Sequence, residues 1–203
     1  MLVSQPRRVA NLLGLAVLAY LVEGPKHPYE VGRLLRAHDD ARSIKFNPGS
    51  LYTVFGQLAK AGFIAELETV REGQRPERTV YALTDAGRTE LYEWMHELVQ
   101  APKHEYPSFV AALSLITALP PAEVATLLAR RAEALAEARD EIRARMDDAL
   151  AGGLDPVFLV EEDYRLALLD AESSFVARFI EQIDQPEAEF GQTWRTFHKE
   201  KKT

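Results

Sequence analysis

Cysteine is absent from the 203 residues, which excludes disulfides, thiolate-bound metals and thiol nucleophiles. Histidine is scarce, with five copies, and none stands in a His-x-x-x-His or His-Glu-x-x-His spacing. No metal site and no cofactor are therefore expected. Gly-x-Ser-x-Gly, P-loop and Gly-x-Gly-x-x-Gly patterns are also missing, so the chain does not read as an enzyme. Long apolar runs are lacking too. The segment Leu12–Val22, preceded by Arg7-Arg8, is too short to span a bilayer. No A-x-A-like cleavage site follows it, and Glu23-Gly24-Pro25 ends it in a turn. It reads as a core helix rather than a secretion signal, with no membrane partner and a cytoplasmic location.

An overall excess of positive charge is missing as well, since the net charge is −7. The distribution matters more than the sum. Residues 1–90 hold 12 Lys+Arg against 10 Asp+Glu, and residues 91–203 hold 12 against 21. A slightly basic first half joined to an acidic second half points to nucleic-acid contact by one end, through a local patch.

What is present is a hydrophobic content of 47%, enough for a substantial core, and a strong helical period. Residues 9–23 read as a mostly apolar helix. Gly24-Pro25 breaks it, and a second helix restarts at Pro28 and runs to about His38, with Val31, Leu34 and Leu35 as its apolar stripe. A third helix starts at Asn47-Pro48, a cap followed by a proline at the first helical position. It ends at Ala61-Gly62, where glycine takes the left-handed cap. Leu51, Val54, Phe55 and Leu58 form its core face, while Ser50, Tyr52, Thr53 and Gln57 form a polar, nearly uncharged face between Lys45 and Lys60. Hydroxyls, an amide and a phenol in that pattern suit phosphates and base edges in a major groove, although an ordinary amphipathic helix has the same pattern.

Phe63–Arg71 and Thr79–Leu83 read as two strands joined by the polar tip Glu72–Arg78. Three helices followed by a hairpin carrying Gln74, Arg75 and Arg78 give a winged helix-turn-helix, with the third helix as reader and the arginines on flanking backbone. Thr84 caps a fourth helix to about Gln100, with Leu91, Trp94, Met95 and Leu98 facing inward. The two prolines of Ala101–Pro107 mark a boundary, giving a DNA-binding domain over 1–100 and an all-α dimerisation or effector domain over 101–203. In the second domain Ser108–Leu119 reads as a short helix carrying Phe109, Leu113, Leu115 and Ile116. Ala122–Ala151 and a helix from Asp155-Pro156 to about Asp184 follow. The stripe of the latter is Tyr164, Leu168, Ala171, Phe175, Phe179 and Ile183, and the tail from Gln185 is expected to be frayed unless Phe190, Trp194 and Phe197 dock a final turn or two. Two long helices with little to bury against favour a second copy of the chain over a monomeric hairpin.

Three segments, HPYEVGRLL (27–35), PGSLYTVFGQLAKAGFI (48–64) and VYALTDAGRTEL (80–91), resemble in order and separation the motifs of the PadR family of transcriptional regulators. The resemblance covers roughly the first 95 residues. Pro28, Ser50 and Thr53 depart from it, as does Lys60, and the basic run before the last strand is reduced to Arg75 and Arg78. The resemblance implies a winged-helix homodimer that binds an inverted-repeat operator in double-stranded DNA and represses nearby genes. It also implies, for some members, a small-molecule effector near the dimer interface. Tyr92, Trp94, Met95 and Phe109 either line such a pocket or belong to plain core, and the core reading is favoured. The candidate DNA-contacting residues are Tyr29, Lys45, Asn47, Ser50, Tyr52, Thr53, Gln57, Gln74, Arg75 and Arg78. The competing reading is a winged helix used for protein contact, docking through the acidic C-terminal helices.

Overall fold

Helix α1 (Leu12–Tyr20) begins where the Asn11 side chain accepts the Leu13 N–H at 2.9 Å. That cap starts the helix later than the apolar run suggests. The structure is a computed structural model describing residues 7–70, 78–185 and 190–200, and it divides into two compact units, Met1–His104 and Glu105–Thr203.

In the first unit Leu13, Val17 and Leu18 of α1 are fully buried. A single 3-10 turn, Leu21–Glu23, carries the chain to Gly24, whose φ of +137° breaks it. Helix α2 (Pro28–Ala37) starts on a reciprocal cap. His27 Nδ1 accepts the Tyr29 N–H, and the Glu30 carboxylate accepts the His27 N–H. Helix α3 (Pro48–Lys60) follows. Its linker from α2 is pinned by Tyr20, whose hydroxyl donates to the Asp40 carboxylate and lies 2.9 Å from His38 Nδ1. Burial and then Asp40 push the Tyr20 phenol well above its ordinary range.

Leu51, Val54, Phe55 and Leu58, the apolar face of α3, are all buried against α1 and α2. Each is worth roughly 1.5–3 kcal/mol in area removed from water. Gly62 takes φ +79° past the helix end, as a left-handed cap requires.

Strands β1 (Ile64–Val70) and β2 (Arg78–Leu83) pair antiparallel from Ile64–Leu83 to Val70–Arg78, with an irregularity after Leu67. On its far side β2 is bridged by the segment before α2, where Lys26 N–H donates to Tyr81 O at 3.0 Å and Tyr81 N–H to Lys26 O at 3.1 Å. The Tyr81 ring lies 5.1 Å from that of Phe55, tying the hairpin to α3.

Helix α4 (Asp85–Gln100) is capped by Thr84, whose Oγ1 accepts the Gly87 N–H and donates to the Gly62 and Phe63 carbonyls. Leu91 and Trp94 of α4 are buried and Leu98 packs against the same core. Met95, expected inside, is 42% exposed, because the Leu91–Trp94–Leu98 seam turns it outward.

The second unit contains α5 (Ser108–Ser114), α6 (Pro121–Ala151), α7 (Val160–Asp184) and α8 (Gln192–Glu200). Its core is Val124, Leu128, Leu135, Val176, Phe179, Ile183 and Trp194. Phe109, Leu113 and Ile116 pack on that core as partly buried residues, whereas Leu115 is exposed. The expected α7 stripe is only half right. Phe179 and Ile183 are buried, but Tyr164 and Leu168 are 66% and 53% exposed and Phe175 stands at the edge. The buried seam runs instead through Val176 and partly buried Leu169 and Ile180.

The tail is docked rather than frayed over α8. Trp194 Nε1 donates to Leu119 O at 2.7 Å, and Arg195 donates to the Ile183 and Phe190 carbonyls. Among the described residues, no helix is long and apolar enough to cross a membrane, and no group of three potential ligands for a metal occurs.

Candidate nucleic-acid interface

The exposed face of α3 follows from its cap. Asn47 Oδ1 accepts the Ser50 N–H at 2.8 Å, and Ser50 Oγ accepts the Asn47 N–H at 2.9 Å and lies 2.8 Å from Asn47 O, to which it donates. Asn47 and Ser50 thus hold each other. Thr53 Oγ1 likewise donates to Gly49 O at 3.0 Å. These two hydroxyls keep acceptor capacity toward a ligand, but their protons are committed. The first turn is similarly closed. Pro48 has no N–H, Ser50 N–H is capped, and Leu51 N–H is bonded to Asn47 O. Gly49 N–H is the donor left over from the set the sequence suggested.

Side chains with uncommitted donors therefore dominate the face. Tyr52 is 52% exposed and Gln57 is exposed one turn further on. Lys45 is exposed before the cap. Tyr29, on the first turn of α2, is 60% exposed. The His27 ring meets Tyr52 edge-on at 6.3 Å, so the α2 cap and the α3 face form one surface. His27 was not singled out from the sequence as a site residue. Its signal was its place before Pro28, three residues ahead of Glu30, which is a capping-box spacing.

Gln74 and Arg75 lie outside the described residues. Arg78 opens β2 opposite Val70, which sets its backbone at the outer end of the described ladder. Trp94 is core, with Arg7 over its ring at 5.1 Å. Tyr92 and Met95 of the same helix are exposed. Phe109 belongs to the second unit, under the Arg131 guanidinium at 3.6 Å.

Residues 17–93 match the family model of the transcriptional regulator PadR-like family. The N-terminal unit is a PadR-family domain. Its three matching motifs have structural causes in the cap of α2, the cap and core face of α3, and the Thr84–Gly87 junction. Solved structures resemble the chain over most of its length. Bacillus subtilis PadR in complex with operator DNA is 20% identical, with a TM-score of 0.70 over 86% of this chain and 100% of the other. The same protein in complex with p-coumaric acid is 18% identical, with a TM-score of 0.71 over the same shares. The PadR-like regulator BC1756 of Bacillus cereus is 18% identical, with a TM-score of 0.57 over 85% of this chain and 98% of the other. These likenesses establish the fold, a winged helix followed by a helical unit. No curated protein matches the sequence.

Proposed function

We propose that this PadR-family regulator is a homodimeric, sequence-specific repressor that reads an inverted repeat with α3 and holds flanking phosphates with the wing. The observation that carries the reading is the α3 face, where exposed Tyr52 and Gln57 stand on a helix rigidly capped by Asn47 and Ser50. Tyr52 and Gln57 address base edges. Lys45 and Tyr29 contact the backbone, as do Gln74, Arg75 and Arg78 from the wing. Asn47, Ser50 and Thr53 contribute as acceptors and by fixing the first turn of α3.

Dimerisation is assigned to the second unit, where Phe158, Val160, Tyr164 and Leu168 leave an apolar face exposed on one protomer. A symmetric reader needs two α3 helices about 34 Å apart. Release by a small aromatic molecule is supported by the resemblance to a regulator solved with p-coumaric acid.

Selection from a random DNA pool at two salt concentrations tests the reading. Recovery of an inverted repeat with half-sites about one turn apart is expected. A folded dimer that enriches no sequence and shows no salt-dependent retention on DNA would instead favour the protein-docking alternative.

A further inference from the structure

Arg8 is held beside the reader helix by what surrounds it in the sequence. Arg7 donates to Glu90 at 2.6 Å and to Glu97 at 2.8 Å. Val9 is buried in the first core. With both neighbours anchored, Arg8 is exposed and lines a cleft of about 510 Å³ with Val9, Ala10, Gln57, Lys60 and Ala61. The two cations in that lining have no carboxylate partner among the described residues, and no acidic residue shares the cleft. The remaining walls are small and apolar except for the Gln57 amide, one turn before Lys60 on the exposed side of α3.

We propose that the Arg8–Lys60 cleft takes one backbone phosphate of the bound DNA, next to the bases met by Gln57. The inference rests on the operator-reading function above. Two cations lining one open cleft, a guanidinium and an ammonium, are the side-chain types that phosphate contacts use. The α3 C-terminus carries about half a unit of negative charge, which two full positive charges outweigh. Arg7 is a positioning residue here, since its own charge is consumed by Glu90 and Glu97. The cleft thus adds a third contact to the reader helix and the wing, at the opposite end of α3 from the Asn47 cap.

The test measures affinity for the selected DNA as a function of salt in the full-length protein. The double variant Arg8→Gln/Lys60→Gln is compared with the parent and with Gln57→Ala. Loss of one phosphate contact lowers the salt slope by about one and the affinity about fivefold near 0.15 M salt, with base preference unchanged. Both side chains are exposed, so the double variant is expected to melt with the parent. An unchanged slope in the double variant, while Gln57→Ala alters base preference, overturns the cleft and leaves the operator reading standing. Failure of the parent to bind any DNA overturns both. Inorganic phosphate added without DNA separates the sources. Retention of free phosphate by the cleft alongside an unchanged slope overturns the DNA assignment.

Discussion

Arg7 is the residue whose surroundings most constrain it. Burial works against its charge, and Glu90 and Glu97 more than offset that, so its pKa rises. Glu97 is held below its ordinary value of 4.5, first by Lys103 and then by Arg7. A carboxyl whose folded value is depressed contributes stability that is present above the unfolded value and lost as pH falls through the folded one. The clasp therefore holds at neutral pH and opens under acid conditions below about pH 4.5. Arg7→Gln should raise the Glu97 midpoint in a carboxyl-carbon NMR titration, and a midpoint that stays put would exclude the pairing. The same variant should carry a stability cost in the first unit, chiefly at Glu90, which loses its guanidinium, since Glu97 keeps Lys103. Urea unfolding followed at Trp94, in a Trp194→Phe background, reads that cost without interference from the second unit.

Asn47 separates presentation from contact. Asn47→Ala removes the cap and should cost about 1 kcal/mol. Asn47→Asp retains a capping oxygen, so stability should stay within about 0.5 kcal/mol, while a new negative charge on the DNA side weakens binding. Equal affinity of Asn47→Asp and parent for the selected DNA would remove this end of α3 from the interface.

At the scale of elements, the junction of hairpin and α4 is closed tightly at Gly87. A Cβ built on Gly87 would stand 1.9 Å from Phe63 O and 2.8 Å from Leu83 Cδ1. Gly87→Ala should therefore cost more than about 2 kcal/mol, since neither the strand nor the helix can yield without losing the Thr84 hydrogen bonds. Thermal unfolding measures it, and a melting temperature unchanged from the parent would refute the close approach.

The sequence made such junctions readable where a local rule was decisive. Asn47-Pro48, Thr84 and Gly62 announce caps by chemistry within a few residues, and the structure keeps each one. The α7 stripe failed in part because all but one of its steps were four residues. Rows of i±4 residues are inclined to the helix axis, so a stripe followed that way wanders off the buried seam. The cap of α3 was legible, but not its consequence, that Ser50 and Thr53 spend their protons on the backbone. That depends on rotamers and geometry rather than on residue type. The Arg7 clasp spans 83 and 90 residues of sequence, and nothing local marks it. Arg7-Arg8 read only as the flank of an apolar run.

For the whole molecule, the decisive quantity is the number of copies that act together. Leu168 is exposed on α7 of a single protomer, so Leu168→Glu should leave each unit folded while making association unfavourable. Sedimentation velocity should show a monomer at micromolar concentration, and affinity for a full inverted repeat should fall toward that for a half-site. A variant that remains dimeric would move the association surface elsewhere. The asymmetry of charge acts at this scale too. If the chain reads DNA as proposed, the acidic residues after position 90 would keep nonspecific attraction low, so that retention would depend on the local contacts of the first unit.

The bridge between Lys26 and Tyr81 gives the small sheet a direction. Strand β2 is bonded on both sides there, whereas nothing among the described residues pairs with the outer side of β1. A strand arriving from another molecule can add along Ile64–Leu67, where Glu66 puts a carboxylate in an otherwise apolar run. Replacing Glu66 with a β-branched apolar residue would take away that guard, and self-association through this ribbon is where loss of solubility would begin.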